Sequence, residues 1–257
     1  MLELKQIYKT FHAGTLDEKV LFSGFNLTVK DGDFVTIVGS NGSGKTTLLN
    51  IISGNMDIDS GDILVNGQHL NKLKHYKRAC QIGRVFQDPA LGTCPSMTIF
   101  ENLSLADNKG KPYNLTRGLN TKRKEFYQTQ LEQLGLGLEN RMDTLSSHLS
   151  GGQRQALALI MATMSDPKLL LLDEHTAALD PKSSETVMEL TDRIVSEKKI
   201  TTLMVTHNLR YAVDYGSRTM MMHEGSIVSD LSDSEKQNQS VSDLLKIFNE
   251  ISIECGN

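Results

Sequence analysis

The 257-residue sequence has no run of apolar side chains approaching the ~18 that a bilayer crossing needs; its apolar runs are short pieces such as Leu169 to Leu172. The N-terminus, Met1-Leu2-Glu3-Leu4-Lys5, mixes charged with apolar residues and lacks the continuous hydrophobic stretch of a signal peptide. Any service to a membrane is therefore expected through docking to another chain. Cysteine is scarce: Cys80, Cys94 and Cys255 are too few for a disulfide scaffold and match no metal spacing, so reduced cytosolic thiols are expected. An excess of basic charge is missing as well. Lys and Arg total 27 against 31 Asp and Glu, a net charge of -4, whereas phosphate-backbone recognition normally brings a basic face, so no nucleic acid partner is expected. No internal repeat is present. With 39% hydrophobic and 23% charged residues, the composition is that of an ordinary soluble globular protein, and the length suits one large domain or a nucleotide-binding core with a smaller insert.

The local patterns point to an α/β arrangement. Leu2 to Ile7 and Phe25 to Val29 alternate apolar and polar residues, as half-exposed strands do, and Ile63 to Val65 leads into an Asn66-Gly67 turn, so a small antiparallel sheet is predicted beside the core. Phe34 to Val38 is short, β-rich and apolar; it runs into a glycine-rich turn and then the helical spacing of Leu48, Leu49, Ile51 and Ile52. Between Pro89 and Ser147 the pattern changes, and Glu101 to Ala106, Arg123 to Leu134 and Gln153 to Ser165 suggest an inserted helical subdomain. Buried parallel strands return at Leu169 to Leu172 and Thr201 to Val205, with helices near Ser184 to Lys198 and Leu209 to Tyr215. A hairpin around Glu224-Gly225, a polar loop from Ser232 to Ser240 and a closing helix from Val241 to Ile251 complete the prediction.

Gly39-Ser40-Asn41-Gly42-Ser43-Gly44-Lys45-Thr46 fits the phosphate-loop pattern G-x-x-x-x-G-K-[ST] without a mismatch, after a predicted strand and before a predicted helix. The glycines let successive N–H groups face one anion, and the helix adds the positive end of its dipole. Lys45 is expected to reach the β- and γ-phosphates, and the Thr46 hydroxyl to meet Mg²⁺. A second element, Leu169-Leu170-Leu171-Leu172-Asp173-Glu174, is a buried-strand signal ending in two carboxylates. Asp173 at the strand exit is placed to meet the same Mg²⁺, and Glu174 to activate water for attack on the γ-phosphorus; two surface acids opening a loop are the plainer alternative.

With these comes Leu149-Ser150-Gly151-Gly152-Gln153. Taken alone this could be a turn in which Ser150 caps the following helix. In company with the other two motifs, the chain resembles the ABC-type ATPase family over nearly its whole length. The resemblance implies one domain over 1–257: a phosphate-loop core with a mostly parallel sheet and a flanking antiparallel β subdomain in 1–88 and 167–231, an inserted helical subdomain near 89–166, and a tail and helix over 232–257. It implies ATP and Mg²⁺ as ligands, hydrolysis of ATP to ADP and phosphate, and a head-to-tail pair of chains. In that pair Ser150, Gly151 and Gly152 of one copy touch the γ-phosphate held by Gly39 to Thr47 of the other, with Gln153 in the same motif. Gln87 then matches the glutamine that touches Mg²⁺ and water, His207 the switch histidine at the γ-phosphate, and Asp180 the aspartate that communicates across the pair. Phe11 aligns with the aromatic that stacks on adenine, with Tyr8 close enough to compete; without the resemblance, His207 reads as a structural histidine and Phe11 as core. One departure is His175 where the family commonly has proline, which puts the stiffness of that loop in doubt.

The resemblance further implies a motor of a membrane transporter, cytoplasmic and held on the inner membrane face by permease subunits, one of whose helices would meet the surface near Gln87 to Asn102, including Leu91, Met97, Phe100 and Glu101. Arg117-Gly118-Leu119-Asn120, Leu134-Gly135-Leu136-Gly137-Leu138-Glu139-Asn140-Arg141 and Asp173-Glu174-His175-Thr176-Ala177-Ala178-Leu179-Asp180 look like a bacterial subgroup associated with an extracytoplasmic binding protein, an importer permease and tryptophan or tyrosine uptake. Within it His175 is a subgroup feature. The insert from Asp107 to Glu125 carries Lys109, Lys111, Arg117, Lys122, Arg123 and Lys124 against two acids and reads as a solvated charged face, with lipid headgroups or an acidic partner loop as the alternative. Competing functions are an exporter motor, a soluble ABC ATPase acting on nucleic acid or the ribosome, and a nucleotide-gated module without useful hydrolysis, the last disfavoured by Glu174 and His207.

Overall fold

The structure, a computed structural model, describes residues 1–111, 118–237 and 241–246. Arg117, Cys255, the end of the expected polar loop (238–240) and the expected closing helix beyond residue 246 lie outside the described residues. In chain order the elements are β1 Leu2–Phe11, β2 Lys19–Val29, β3 Phe34–Gly39, α1 Lys45–Ser53, β4 Ser60–Val65, β5 Gln68–His69, α2 His75–Ala79, β6 Ile82–Val85, α3 Ile99–Asp107, α4 Lys124–Glu132, α5 Gly151–Thr163, β7 Leu169–Asp173, α6 Pro181–Lys198, β8 Thr201–Val205, α7 Leu209–Asp214, β9 Arg218–His223, β10 Ser226–Leu231 and α8 Asp233–Lys236. They form two compact units, one of residues 1–78 together with the chain from 199 onward, the other of residues 79–198.

In the first unit, β2-β1-β4-β5 make an antiparallel sheet. Leu2 pairs with Val29 and Val65, and Leu4 with Leu27 and Ile63, so the apolar positions of three strands share one buried face. The second sheet is parallel at its centre: β3 lies between β8 (Ile37 opposite Val205) and β9 (Val38 opposite Met221), and β10 adds antiparallel to β9. Every residue of β3 is buried, as expected of a central parallel strand, with the Thr36 hydroxyl satisfied by Thr219. Behind it, Val38, Ala212, Met221 and Leu244 form a core against which Leu209, Val213 and Leu231 pack. Residues 241–246 are helical. The loop expected from Ser232 instead starts with the short α8, because Ser232 and Glu235 form a reciprocal capping box.

Helix α1 buries Leu48, Leu49, Ile51 and Ile52 and ends at Gly54, whose φ of 85° is left-handed. Two of its last carbonyls are satisfied from outside: the Arg78 guanidinium donates to the Ile52 carbonyl at 2.9 Å and also to that of Ile51. Burial pushes Arg78 down to about 10, still cationic at neutral pH.

In the second unit β6 and β7 pair in parallel, with Val85 opposite Leu172. Neither β6 nor α2 was expected from the sequence. The helical segments are tied by polar side chains. Asn102, fully buried, accepts from the Cys94 amide at 2.7 Å and donates to the carbonyls of Cys94, Met97 and Thr98, folding that loop onto the start of α3. Asp107 at the end of α3 gathers Lys111, Arg123 and Tyr127. Lys109 donates to the Ile82 carbonyl at 2.8 Å, and burial pushes its ammonium down from the ordinary lysine value. The insert is thus not simply a solvated charged face: Lys109 and Arg123 tie it to other elements of the unit, while Lys111 pairs locally with Asp107.

Replacing Arg78 with Met keeps the aliphatic stem and removes the donors to α1. Urea unfolding should show a loss of about 1–3 kcal/mol, the cost of leaving the buried Ile52 carbonyl unsatisfied; an unchanged midpoint would mean that the guanidinium does not stabilise the end of the helix.

Candidate functional site

The first unit presents the glycine-rich loop between β3 and α1. Gly39 (φ 152°), Gly42 (φ 79°) and Gly44 (φ 100°) all lie in left-handed territory. At Gly39 space is decisive as well: a Cβ there would stand 2.1 Å from the Met222 carbonyl oxygen of β9. The loop is closed from below by the β9–β10 hairpin, where the Gly225 amide donates to the Ser43 carbonyl at 3.0 Å. Inside the curl, Lys45 is only 5% exposed. Its Nζ donates to the carbonyls of Gly39 and Ser40, both at 2.8 Å, and to Ser43 Oγ at 3.4 Å. A lysine buried this deeply needs such acceptors to remain charged. Asn41 and Gly42 are exposed at the crest, Thr46 is exposed on the first turn of α1, and Thr47 follows half-buried. His223, at the end of β9, places Nδ1 3.4 Å from Ser40 Oγ.

On the same edge of that sheet, Thr206 donates its amide to the Ile37 carbonyl at 3.1 Å, and exposed His207 follows at the exit of β8. Asn208 then caps α7 by accepting from the amides of Arg210 and Tyr211. In the antiparallel sheet Phe11 occupies the last rung of β1, opposite Lys19. Tyr8 is mid-strand, paired with Ser23 on one side and Ser60 on the other.

The second unit carries the acidic strand exit. Asp173, 8% exposed, accepts from the Arg84 guanidinium at 2.9 Å, and Arg84 also lies 4.7 Å over the Phe86 ring. The register of β6 on β7 sets exposed Gln87 beside the pair Asp173-Glu174. Glu174 has φ 46°, an unusual backbone for a residue with a side chain. Such a conformation costs roughly 1–3 kcal/mol and is held only where the surroundings over-determine it. His175, expected from the sequence to leave this loop less stiff than proline, is 1% exposed and hydrogen-bonded through Nε2 to Thr191 Oγ1 at 3.1 Å. The loop is anchored by a side-chain hydrogen bond instead of a proline's fixed backbone. Asp180 closes it, accepting from the Ser183 amide at 3.0 Å at the start of α6, and the Ser183 hydrogen bonds lower its pKa.

The Ser-Gly-Gly-Gln stretch begins α5. Ser150 Oγ accepts from the Gln153 amide and Gln153 Oε1 accepts from the Ser150 amide, each at 3.2 Å, a reciprocal capping box. Capping uses the serine oxygen as acceptor, so its own hydrogen can donate to an anion, alongside the free first-turn amides of Gly151 and Gly152. A Cβ at Gly152 would lie 2.9 Å from that of Ser183, and one at Gly151 would lie 3.1 Å from Leu179. Glycine here lets the start of α5 lie directly on the start of α6.

A family model described as "ABC transporter" matches residues 22–177, more than half of the chain. The chain belongs to the ABC transporter family. This ABC ATPase is 51% identical over 248 residues, 96% of the chain and 98% of the relative, to the tyrosine transport ATP-binding protein of Clostridioides difficile. It is 35% identical over 90% of its length to the spermidine/putrescine import ATP-binding protein of Haemophilus influenzae, spanning 57% of that longer relative. Among solved structures, a dimeric ATP-binding cassette in a post-hydrolysis state bound to ADP and Pi matches with a TM-score of 0.76 and 29% identity, over 91% of this chain and 99% of that one. The fold is accordingly that of an ABC ATPase, α/β with a mostly parallel sheet and an antiparallel sheet, and the chain is an ATP-binding, ATP-hydrolysing subunit of a transporter.

The sequence alone does not single out Arg84, Ser183 or Thr191. Each acts through a partner distant in sequence, and no local spacing marks them. Among the described residues no group of three or more His, Cys, Asp or Glu could hold a metal ion by itself. Within the second unit Gln87 and Asp173 offer an amide oxygen and a carboxylate, and within the first Thr46 offers a hydroxyl; each is a hard oxygen donor of the kind Mg²⁺ takes.

Burial pushes His175 down to about 4 from an ordinary value of 6.5. The unfolded chain therefore takes up this proton first: the stability tied to neutral His175 is complete above pH 6.5 and is lost as pH falls towards 4. Between pH 7 and pH 5 the chain should lose about 2 kcal/mol more than its His175→Gln variant. Equal losses in urea melts of the two nucleotide-free proteins would show that His175 does not set this acid limb.

Proposed function

We propose that this ABC ATPase powers uptake of a small solute, an aromatic amino acid of the tyrosine type, through separate permease subunits. The observation that carries the reading is the 51% identity over 96% of the chain to a protein named for tyrosine transport. The import relative supports the direction. Among the described residues no helix is long and apolar enough to cross a membrane, so the crossing is assigned to the permease, which holds this chain at the inner membrane face, and cargo capture to an extracytoplasmic binding protein. Leu91, 69% exposed, is the apolar contact offered to a permease helix, with half-buried Met97 and Phe100 beside it. Glu101 is engaged in capping α3 through Thr98.

In this reading the amides of Gly39, Ser40, Asn41, Gly42, Ser43 and Gly44, with Thr46 and Thr47, surround the triphosphate, and Lys45 turns from the Gly39 and Ser40 carbonyls to the β- and γ-oxygens. Phe11, on the outermost rung of its sheet, stacks on adenine; Tyr8, paired through its backbone on both flanks, keeps a 40% exposed side chain and is the competing aromatic. Glu174 orients the attacking water and accepts its proton, and Gln87 and His207 hold the water and the γ-phosphate. Thr46, Gln87 and Asp173 are assigned as Mg²⁺ ligands; the ion, when bound, neutralises phosphate oxygens. Two copies pair head to tail, so that Ser150, Gly151 and Gly152 of one, braced by Gln153, complete the phosphate site of the other, while Asp180 lies at the face between them. The dimeric cassette among the solved relatives supports that pairing. Cleavage removes the phosphate gripped by both copies, and the pair loosens.

The test is uptake of labelled tyrosine by cells lacking the chain. Wild type should restore uptake and Glu174→Gln should not, while the purified variant binds ATP but releases phosphate at least about tenfold more slowly. Tyrosine uptake that does not depend on the chain sinks the cargo assignment. Undiminished turnover by Glu174→Gln sinks the role of that carboxylate.

A further inference from the structure

We propose that His175 is a positioning residue for ATP hydrolysis, its hydrogen bond to Thr191 tying the strand exit that carries Glu174 to the body of α6. The inference rests on Glu174 being the water-orienting base.

The pair is built as a directed bond. Thr191 Oγ1 lies 2.7 Å from the Val187 carbonyl, to which its one hydrogen is committed, so its oxygen accepts from His175 and Nε2 carries the proton. Both side chains are buried, at 1% and 0% exposure. Valine opposite leucine would fill the same space; what the polar pair adds is a fixed direction. That direction matters because the neighbouring Glu174 sits at φ 46°. Downstream the turn is secured by its own backbone, with the Ala177 amide on the Glu174 carbonyl at 2.9 Å and the Leu179 amide on that of Thr176 at 3.2 Å. Ser184 Oγ also donates to the Thr176 carbonyl at 3.1 Å. These bonds hold the turn to the first turn of α6. The imidazole reaches further along the helix, to Thr191, and supplies a second point of attachment, so that the turn cannot pivot about the first.

The same helix touches the other half of the machinery. Ser183 stands where any side chain at Gly152 would have to go, and Leu179 where one at Gly151 would. A shift of α6 against β7 would therefore disturb the carboxylate and the Ser150 turn together, and the His175–Thr191 bond opposes that shift.

Steady-state phosphate release by the full-length chain against Mg-ATP decides the matter, with unfolding midpoints measured in parallel. Thr191→Val and His175→Leu should each lower kcat by about 3- to 10-fold, the scale of a small misplacement of the base, with KM for ATP within about twofold. The double variant should be no worse than the poorer single one, because both remove one bond. His175→Gln, whose amide nitrogen reaches to the position of Nε2, should recover kcat to within about twofold of wild type, whereas His175→Asn, one carbon shorter, should not. Wild-type kcat in Thr191→Val, effects that multiply in the double variant, or a loss of kcat accompanied by an equal rise in KM would overturn the proposal. Should His175→Leu fail to fold, Thr191→Val and His175→Gln still decide. Glu174→Gln is the control: if it turns over normally the base assignment has failed, whereas if it is crippled while Thr191→Val is normal, only the tie has failed.

Discussion

The Lys45 ammonium is nearly sealed from water, and the first unit is organised around that constraint. A buried cation needs oxygen acceptors at hydrogen-bonding distance, and here they are the carbonyls of Gly39 and Ser40 at 2.8 Å. Main-chain carbonyls can turn inward in this way only if the loop adopts left-handed geometry at several positions, which is why glycine recurs. Having curled, the loop leads straight into α1, and the result is a cup with a cation held in place at a helix N-terminus, as the proposed phosphate binding requires. Binding can then exchange one set of oxygens for another without first burying a charge.

The second unit meets a different requirement, the aiming of an anion. Asp173 is fixed by Arg84, while Glu174 is turned by an unfavourable backbone angle into a position that an ordinary strand exit would not give it. The surroundings supply what maintains this: the turn bonds after Glu174, the buried imidazole of His175 and the cap that Asp180 places on α6. The close approach of Ser183 to Gly152 sets the Ser150 turn directly against the start of α6, the helix to which the acidic exit is tied.

Much of this was legible in the amino-acid order. The phosphate loop demands residue types that few other structures need, so its pattern signals itself, and the largely apolar strands Phe34–Gly39 and Leu169–Asp173 follow from burial on both faces. Ser150 was read both as a cap and as an anion donor, and the observed capping box leaves room for both. Less legible were features that depend on distant partners. His175 looked like a lost proline because nothing local announces Thr191, and Lys109 looked solvated because its acceptor is a backbone carbonyl at Ile82. The short β6 was hidden by Gly83, whose Cβ would collide with the Ala162 carbonyl at 2.5 Å: a close approach, not a turn. The helix Asp233–Lys236 could have been found, since Ser232 followed three residues later by Glu235 is a recognised capping signature.

The hydrogen bond from Gly225 to Ser43 joins the phosphate loop to a hairpin encoded far downstream, and both strands flanking β3 also come from that distant stretch. A nascent polypeptide that has already emerged past Lys45 still lacks the floor and walls of the cup. Competence to hold a nucleotide is therefore acquired only after the stretch up to Leu231 has been made, and a product truncated before that hairpin would carry the full motif yet lack the bond that closes the loop from below.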